Sequence, residues 1–176
     1  MFKGGLGYGG TCFPVDIEAA RYECERLGIP TSFADAITNL NDWQVERSVK
    51  LISSFGKKRI AVLGLSFKQD TDVVAASQSL QIAKELALNS HDVMVFDPKG
   101  MANAKAELGS AVAYAQSIKE AIKFGEVVFL GVEWPEFSKL GGKSFSKGQI
   151  VVDPWRLLRK DPPWGTYVPY GLGRTD

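Results

Sequence analysis

Apolar positions along the chain change their period once, near residue 57. Ahead of that point the spacing is helical. In "VDIEAARYECERLG", Ile17, Ala20, Cys24 and Leu27 fall on one stripe, Pro14 suits the first turn of a helix, and Gly28 and Pro30 end it. Residues 31–55, "TSFADAITNLNDWQVERSVKLISSF", read as one long helix from Thr31 to Phe55, with Phe33, Ile37, Leu40, Val49, Ile52 and Phe55 as its apolar positions. Trp43 lies off that stripe, and a second apolar face on a long helix predicts a second packing partner, another domain or another subunit. "FGKK" then breaks the pattern and reads as a linker.

From Arg59 the pattern alternates between strands and helices. "RIAVLGL" is a β-branched, wholly apolar run suited to a central parallel strand, and "SLQIAKELALN" after it is helical. "DVMVFDP", a weak "AVAYA", "VVFLGV" and a last strand "IVVDP" come next, with helices over "MANAKAEL" and "SIKEAIKFG". Such alternation predicts an α/β fold: a helical segment over residues 1–56, then a doubly wound, Rossmann-like parallel sheet over 57–176. Ligands of such sheets bind outside the carboxyl ends of the strands.

Composition narrows the partners. The 21 basic and 20 acidic residues nearly cancel, so no field favours nucleic acid or an acidic membrane surface. Two cysteines in unlike contexts do not make a disulfide framework, and a reducing compartment is the simpler expectation. With no long apolar run and no signal peptide, a soluble cytoplasmic protein is expected.

The first candidate chemistry lies at the start of the chain, "GGLGYGGTCFPVD", where five of the first ten residues are glycine. Glycines let the main chain approach a ligand closely. Cys12 stands just before a helix start, where the partial positive charge favours the thiolate, and Asp16, one turn on, is placed to face the sulfur or a water beside it. A cysteine at a helix start is most often a core residue or a bystander; the flanking glycines and the nearby acid point instead to a nucleophile. Cys24, on its apolar stripe, reads as structural, and His91, the single histidine, as an exposed turn residue.

The second candidate is "GLSFKQDTD", Gly64–Asp72, after the first strand. It is not a dinucleotide fingerprint, because Ser66 and Gln69 stand where glycines belong. Lys68 is placed to meet a phosphate while Phe67 packs a base. Asp97, ending the second strand, sits where dinucleotide folds hold ribose, yet without the glycines it reads as a turn residue before Pro98.

Together these stretches resemble the UDP-glucose/GDP-mannose dehydrogenase family. "GYGGTCFPVD" is similar to that family's nucleophile loop, G-x-G-G-[ST]-C-F-P-K-D, and "GLSFKQDTD" to its G-x-[AS]-F-K-x-x-T-D motif; "VFDP", "IVVDPWR" and "YGLGR" also match family segments. The resemblance implies oxidation of C6 of a nucleotide sugar to a carboxylate with NAD, through a cysteine thioester. It casts Cys12 as the nucleophile and Asp16 as the residue activating water. It places Gly5, Gly7, Tyr8, Gly9 and Gly10 against the sugar and diphosphate, and Phe67, Lys68 and Arg156 at the nucleotide. It also implies a homodimer built on the helix around Thr31–Phe55.

Three departures qualify the match. The chain is expected to lack the family's N-terminal NAD-binding domain, so a separate NAD-binding chain is one expected partner and the loop itself is expected to hang free and mobile. Val15 stands where the family has lysine, and Ala75 where it has an arginine that reaches NAD. A catalytically silent nucleotide-sugar-binding or dimerisation module is therefore the alternative. A redox or acyl-transfer thiol ranks below both, since no histidine partner is available.

Overall fold

The computed structural model describes residues 5–170. Two helices come first, α1 (Phe13–Arg26) and α2 (Ser32–Ser54). They are succeeded by β1 (Arg59–Leu63), α3 (Gln78–Leu88), β2 (Asp92–Phe96), α4 (Met101–Leu108), β3 (Ala113–Tyr114), α5 (Ile118–Phe124) and β4 (Val127–Leu130). The short α6 (Pro135–Ser138), a single 3-10 turn at Gly142–Ser144, β5 (Ile150–Asp153) and β6 (Thr166–Pro169) complete the described chain. The sheet order is β3-β2-β1-β4-β5-β6, and every neighbouring pair is parallel. The α/β class and doubly wound architecture agree with the sequence reading.

Strand side chains alternate between the sheet faces and so divide the core in two. Ile60, Val62, Val127, Phe129 and Val152 pack with Val45, Val49 and Ile52 of α2, with Ile82 and Leu86 of α3 and with Ala104 of α4. Ala61, Leu63, Val128, Leu130 and Val151 face the other way, onto Ala121, Ile122, Trp134 and Phe137. Both faces are covered, which is why β1 and β4 read as unbroken apolar runs. Ser77 and Ser117 cap α3 and α5, each accepting through its hydroxyl from the backbone N–H three residues on.

Several elements differ from the sequence reading. A sixth strand, β6, pairs with β5 beyond the "IVVDP" run. Its "TYVP" segment is half-exposed and ends in proline, the profile of an edge strand, and therefore lacks the continuous apolar signal. The apolar stripe read along α2 splits: Val49 and Ile52 are buried, whereas Phe33 is 80% and Leu40 63% exposed. No residue of α1 is buried, and its apolar stripe, on which Cys24 reads as structural, is only half-covered at Cys24. His91 is not free in solvent either, because its Nε2 lies 2.9 Å from the Ser53 hydroxyl.

A candidate active site built on a fastened cysteine loop

The glycine loop does not hang free. It lies along the carboxyl ends of β1, β4 and β5 and is held at three levels. At its start Gly5 packs against the ring of Trp155, whose indole N–H donates to the Gly131 carbonyl just past β4 at 3.1 Å. In the middle, the Gly7 N–H donates to Gln78 Oε1 at 2.8 Å, and the Tyr8 N–H to Asn41 Oδ1 at 2.8 Å. Asn41 Nδ2 returns a bond to the Tyr8 carbonyl at 3.1 Å, and Gln78 Nε2 donates to the Asn41 carbonyl at 2.7 Å. At its end the Gly10 N–H donates to the Ala75 carbonyl at 2.9 Å, and Gly9 faces the Ala76 carbonyl.

Gly10 is a position where only glycine serves. Its φ is +88°, and a Cβ there would come within 2.7 Å of the Phe67 ring. The crevice left between loop and sheet, lined by residues such as Gly7, Ser66, Phe67 and Gln78, holds only about 10 Å³. The glycines thus bring the loop onto the sheet itself.

Two residues after Gly10, Cys12 occupies the N-cap position of α1 and is exposed. The Asp16 N–H donates to the Cys12 carbonyl at 2.9 Å, and the Asp16 carboxylate is the acid of the first helical turn. Both groups face solvent beside the loop, with the Thr11 hydroxyl 3.8 Å from the sulfur. Val15 and Ala75, the two departures from the resembled motifs, both face solvent, Val15 being 63% exposed.

Phe67 is half-buried because its ring covers Gly10, and Lys68 Nζ sits 5.3 Å from the centroid of that ring. Arg156 comes after β5 with φ +59°, and its Nη1 donates to the Tyr170 carbonyl at 3.1 Å. Three of the four described non-glycine residues with positive φ, Asp70, Ala76 and Arg156, lie in the loops after β1 and β5. Each such conformation costs on the order of 1 kcal/mol and clusters where geometry matters.

Asp97 is the buried centre of this end of the sheet, 2% exposed. Its Oδ2 accepts from Leu65 N at 2.6 Å, Ser66 N at 3.0 Å and Trp134 Nε1 at 3.3 Å, while Oδ1 accepts from Lys99 N and Gly100 N. It is a turn residue before Pro98, as read from sequence, and it also pins the Gly64 loop. Both oxygens are committed, so this loop does not fit the ribose of a dinucleotide. Asp153 plays the matching part under β5, accepting from Trp155 N, Leu158 N and the Tyr167 hydroxyl. Burial, then the Asp153 charge, hold the Tyr167 phenol well above its usual range.

Sequence reasoning missed Gln78, Asn41 and Trp155. A polar residue in the first turn of a helix reads as solvated, and nothing local marks its partner 71 residues away. The "YGLGR" segment beyond Tyr170 lies outside the described residues. A cavity of about 700 Å³ opens between α2 and α3 around Glu46, Lys50, Glu85 and His91, and contains none of the sequence-predicted site residues. Among the described residues no cluster of His, Cys, Asp and Glu could hold a metal ion, and no helix is long and apolar enough to cross a membrane.

A parallel sheet with helices on both faces and a cysteine loop along the carboxyl ends of its strands defines a doubly wound α/β protein. Comparison with known proteins gives the family. Residues 61–160 match the UDP-binding domain of the UDP-glucose/GDP-mannose dehydrogenase family, and residues 1–43 match its central domain. A putative UDP-glucose 6-dehydrogenase of Bacillus subtilis is 32% identical over 92% of this chain and 39% of its own length. A UDP-glucose 6-dehydrogenase of Rickettsia felis is 35% identical over 87% of the chain and 36% of its own. The solved UDP-glucose dehydrogenase of Pyrobaculum islandicum superimposes with a TM-score of 0.82 at 30% identity, over 93% of this chain and 38% of that one. The chain belongs to the UDP-glucose/GDP-mannose dehydrogenase family. It spans less than two fifths of the length of each of these relatives.

Proposed function

We propose that this chain is the substrate-holding and dimerising portion of a nucleotide-sugar 6-dehydrogenase of the UDP-glucose type, working in the cytoplasm, with residues 1–56 and 57–176 as its two units. The observation that carries the reading is the fastening of Gly5–Gly10 onto the ends of β1, β4 and β5, with Cys12 next to it. In this reading the diphosphate and sugar lie along the loop and the nucleotide meets Phe67, Lys68 and Arg156. Cys12 Sγ is the group that would bond to C6 once it is an aldehyde, and the Asp16 carboxylate the group that would take a proton from water when the resulting acyl group is released from sulfur; the two hydrides lost on the way, from the alcohol and from the sulfur adduct, need an acceptor of the NAD type held outside the described residues. Holding the carbon on sulfur keeps the aldehyde from escaping.

The resemblance implies NAD as the oxidant, but the described residues do not fit it: the Gly64 loop lacks the glycines, and Asp97 has no free oxygen. The NAD site belongs to a further domain or chain. The exposed Val15 and Ala75 favour a second reading, a silent nucleotide-sugar binder.

The exposed Phe33, Leu40 and Trp43 on α2, with Tyr22 on α1 and Leu27 just past its end, support a homodimer through the helices. Calorimetric titration with UDP-glucose, GDP-mannose and NADH tests the ligand assignment. UDP-glucose is expected to bind and NADH to bind weakly or not at all, with UDP-glucose also slowing alkylation of Cys12 but not of Cys24. Tighter binding of NADH than of UDP-glucose overturns it. NADH formation after adding an NAD-binding chain separates the enzyme from the silent binder.

A further inference from the structure

We infer that the side-chain amides of Asn41 and Gln78 are a positioning device for the cysteine loop, setting where Cys12 stands over the sheet. Their functional meaning rests on the reading of Cys12 as the reacting group; their geometry does not. Asn41 closes a two-point bond with Tyr8, accepting its N–H and donating to its carbonyl, as another strand would. Gln78, 5% exposed, accepts from the Gly7 N–H and donates to the main-chain carbonyl of Asn41. Three segments far apart in sequence, the loop, the middle of α2 and the first turn of α3, therefore meet through two amides. Gly7 has no room for a Cβ because Asn41 Oδ1 and the Gln78 amide fill that space.

The arrangement has a functional consequence. Gln78 begins α3 directly after Ser77, and Ser77 comes just after Ala75, whose carbonyl accepts from the Gly10 N–H, and Ala76, whose carbonyl faces Gly9. Any shift of α2 against α3 is thus transmitted to Gly7 and Tyr8 and from there to Cys12, five residues past Gly7. The two amides act through the loop and touch no reacting atom.

The experiment uses the whole chain and compares it with Gln78→Met, Gln78→Glu, Asn41→Ala and Asn41→Asp. Met keeps the size of Gln78 and removes both bonds, whereas Glu keeps the acceptor for Gly7. Asp keeps the acceptor for Tyr8. Amide exchange of Gly7, Tyr8 and Gly10, and the alkylation rates of Cys12 and Cys24, are measured together. Gln78→Met and Asn41→Ala are expected to speed exchange in the loop about tenfold or more and to change the Cys12 rate several-fold with Cys24 unaffected. Gln78→Glu and Asn41→Asp are expected to recover part of the protection at Gly7 and Tyr8 respectively. Loop exchange in Asn41→Ala equal to that of the parent chain overturns the proposal, as does an equal change at both cysteines, which signals general loosening. Should Gln78→Met not fold, the two Asn41 variants carry the test alone. UDP-glucose binding by the parent chain is scored separately, so failure of the ligand reading leaves the loop result standing.

Discussion

The two ends of α2 live in different surroundings. Its carboxyl half gives Val45, Val49 and Ile52 to the core of the sheet, while its amino half presents Phe33, Leu40 and Trp43 to solvent beside an α1 with no buried residue. Both ends are comparably apolar in sequence. What separates them is whether a partner surface is present within the described chain. Period alone reports that a face is meant to be covered; it does not report by what. The difference predicts that stability resides in the sheet and the carboxyl half of α2, and that the amino-terminal helices answer to something else.

The largest effect should come from the sheet. Phe129 is fully buried between β1 and β5, and Phe129→Ala is expected to lower unfolding stability by about 3–5 kcal/mol in denaturant titrations. A loss below about 1 kcal/mol would break the contrast. Next comes Asp97→Ala, which leaves the N–H groups of Leu65, Ser66, Lys99 and Gly100 without their acceptor. It should cost about 3 kcal/mol, since bonds to a charged acceptor are among the stronger ones. Asp97→Asn, keeping an oxygen, should cost less.

A smaller effect sharpens the comparison by pH. The Tyr167 phenol is raised above its usual value of 10.0 by burial first and then by Asp153, and Tyr170 is raised by burial. A pKa raised in the folded state contributes stability that is complete below the unfolded value and is lost as pH rises through the folded one. The sheet should therefore weaken above about pH 10, the unfolded tyrosine value. Tyr167→Phe should flatten that alkaline loss, leave part of it to Tyr170, and cost about 1 kcal/mol at neutral pH for the bond to Asp153. An unchanged alkaline slope in Tyr167→Phe would contradict the assignment.

Much of the molecule was legible in the chain. Unbroken apolar runs located β1 and β4 because both faces of a parallel sheet are covered, and the glycine-cysteine and "GLSFKQDTD" motifs, far apart in sequence, lie against each other where Phe67 covers Gly10. What escaped was long-range: Asn41 and Gln78 lie 33 and 71 residues from their loop partners, and no local period encodes such a pairing. The expectation of a free loop failed for the same reason. It looked only to the residues ahead of Gly5, whereas Asn41, Ala75, Gln78 and Trp155, all later in the chain, hold the loop. The half-exposed β6 escaped because an edge strand carries a weaker pattern than a central one.

The smallest expected effect on stability is at the exposed face itself, and it decides what that face is for. Phe33 is 80% and Leu40 63% exposed, so Phe33→Ser with Leu40→Ser removes little buried area and should change the unfolding free energy of the dilute chain by less than about 0.5 kcal/mol per site. Association should respond strongly. A dimer interface of ordinary size needs an apolar centre, and Phe33, Leu40 and, contrary to the sequence reading that set it off their stripe, Trp43 fall at spacings that place them along one side of α2, all three exposed. Sedimentation at micromolar concentration is expected to show a dimer for the parent chain and a monomer for the double variant. Because dimerisation adds stability only in proportion to its own mass action, the parent chain should also gain resistance to denaturant as its concentration rises, and the variant should not. A parent chain that sediments as a monomer would remove the second copy as the partner of this face. It would leave the difference between the two ends of α2 intact but assign the cover to another domain.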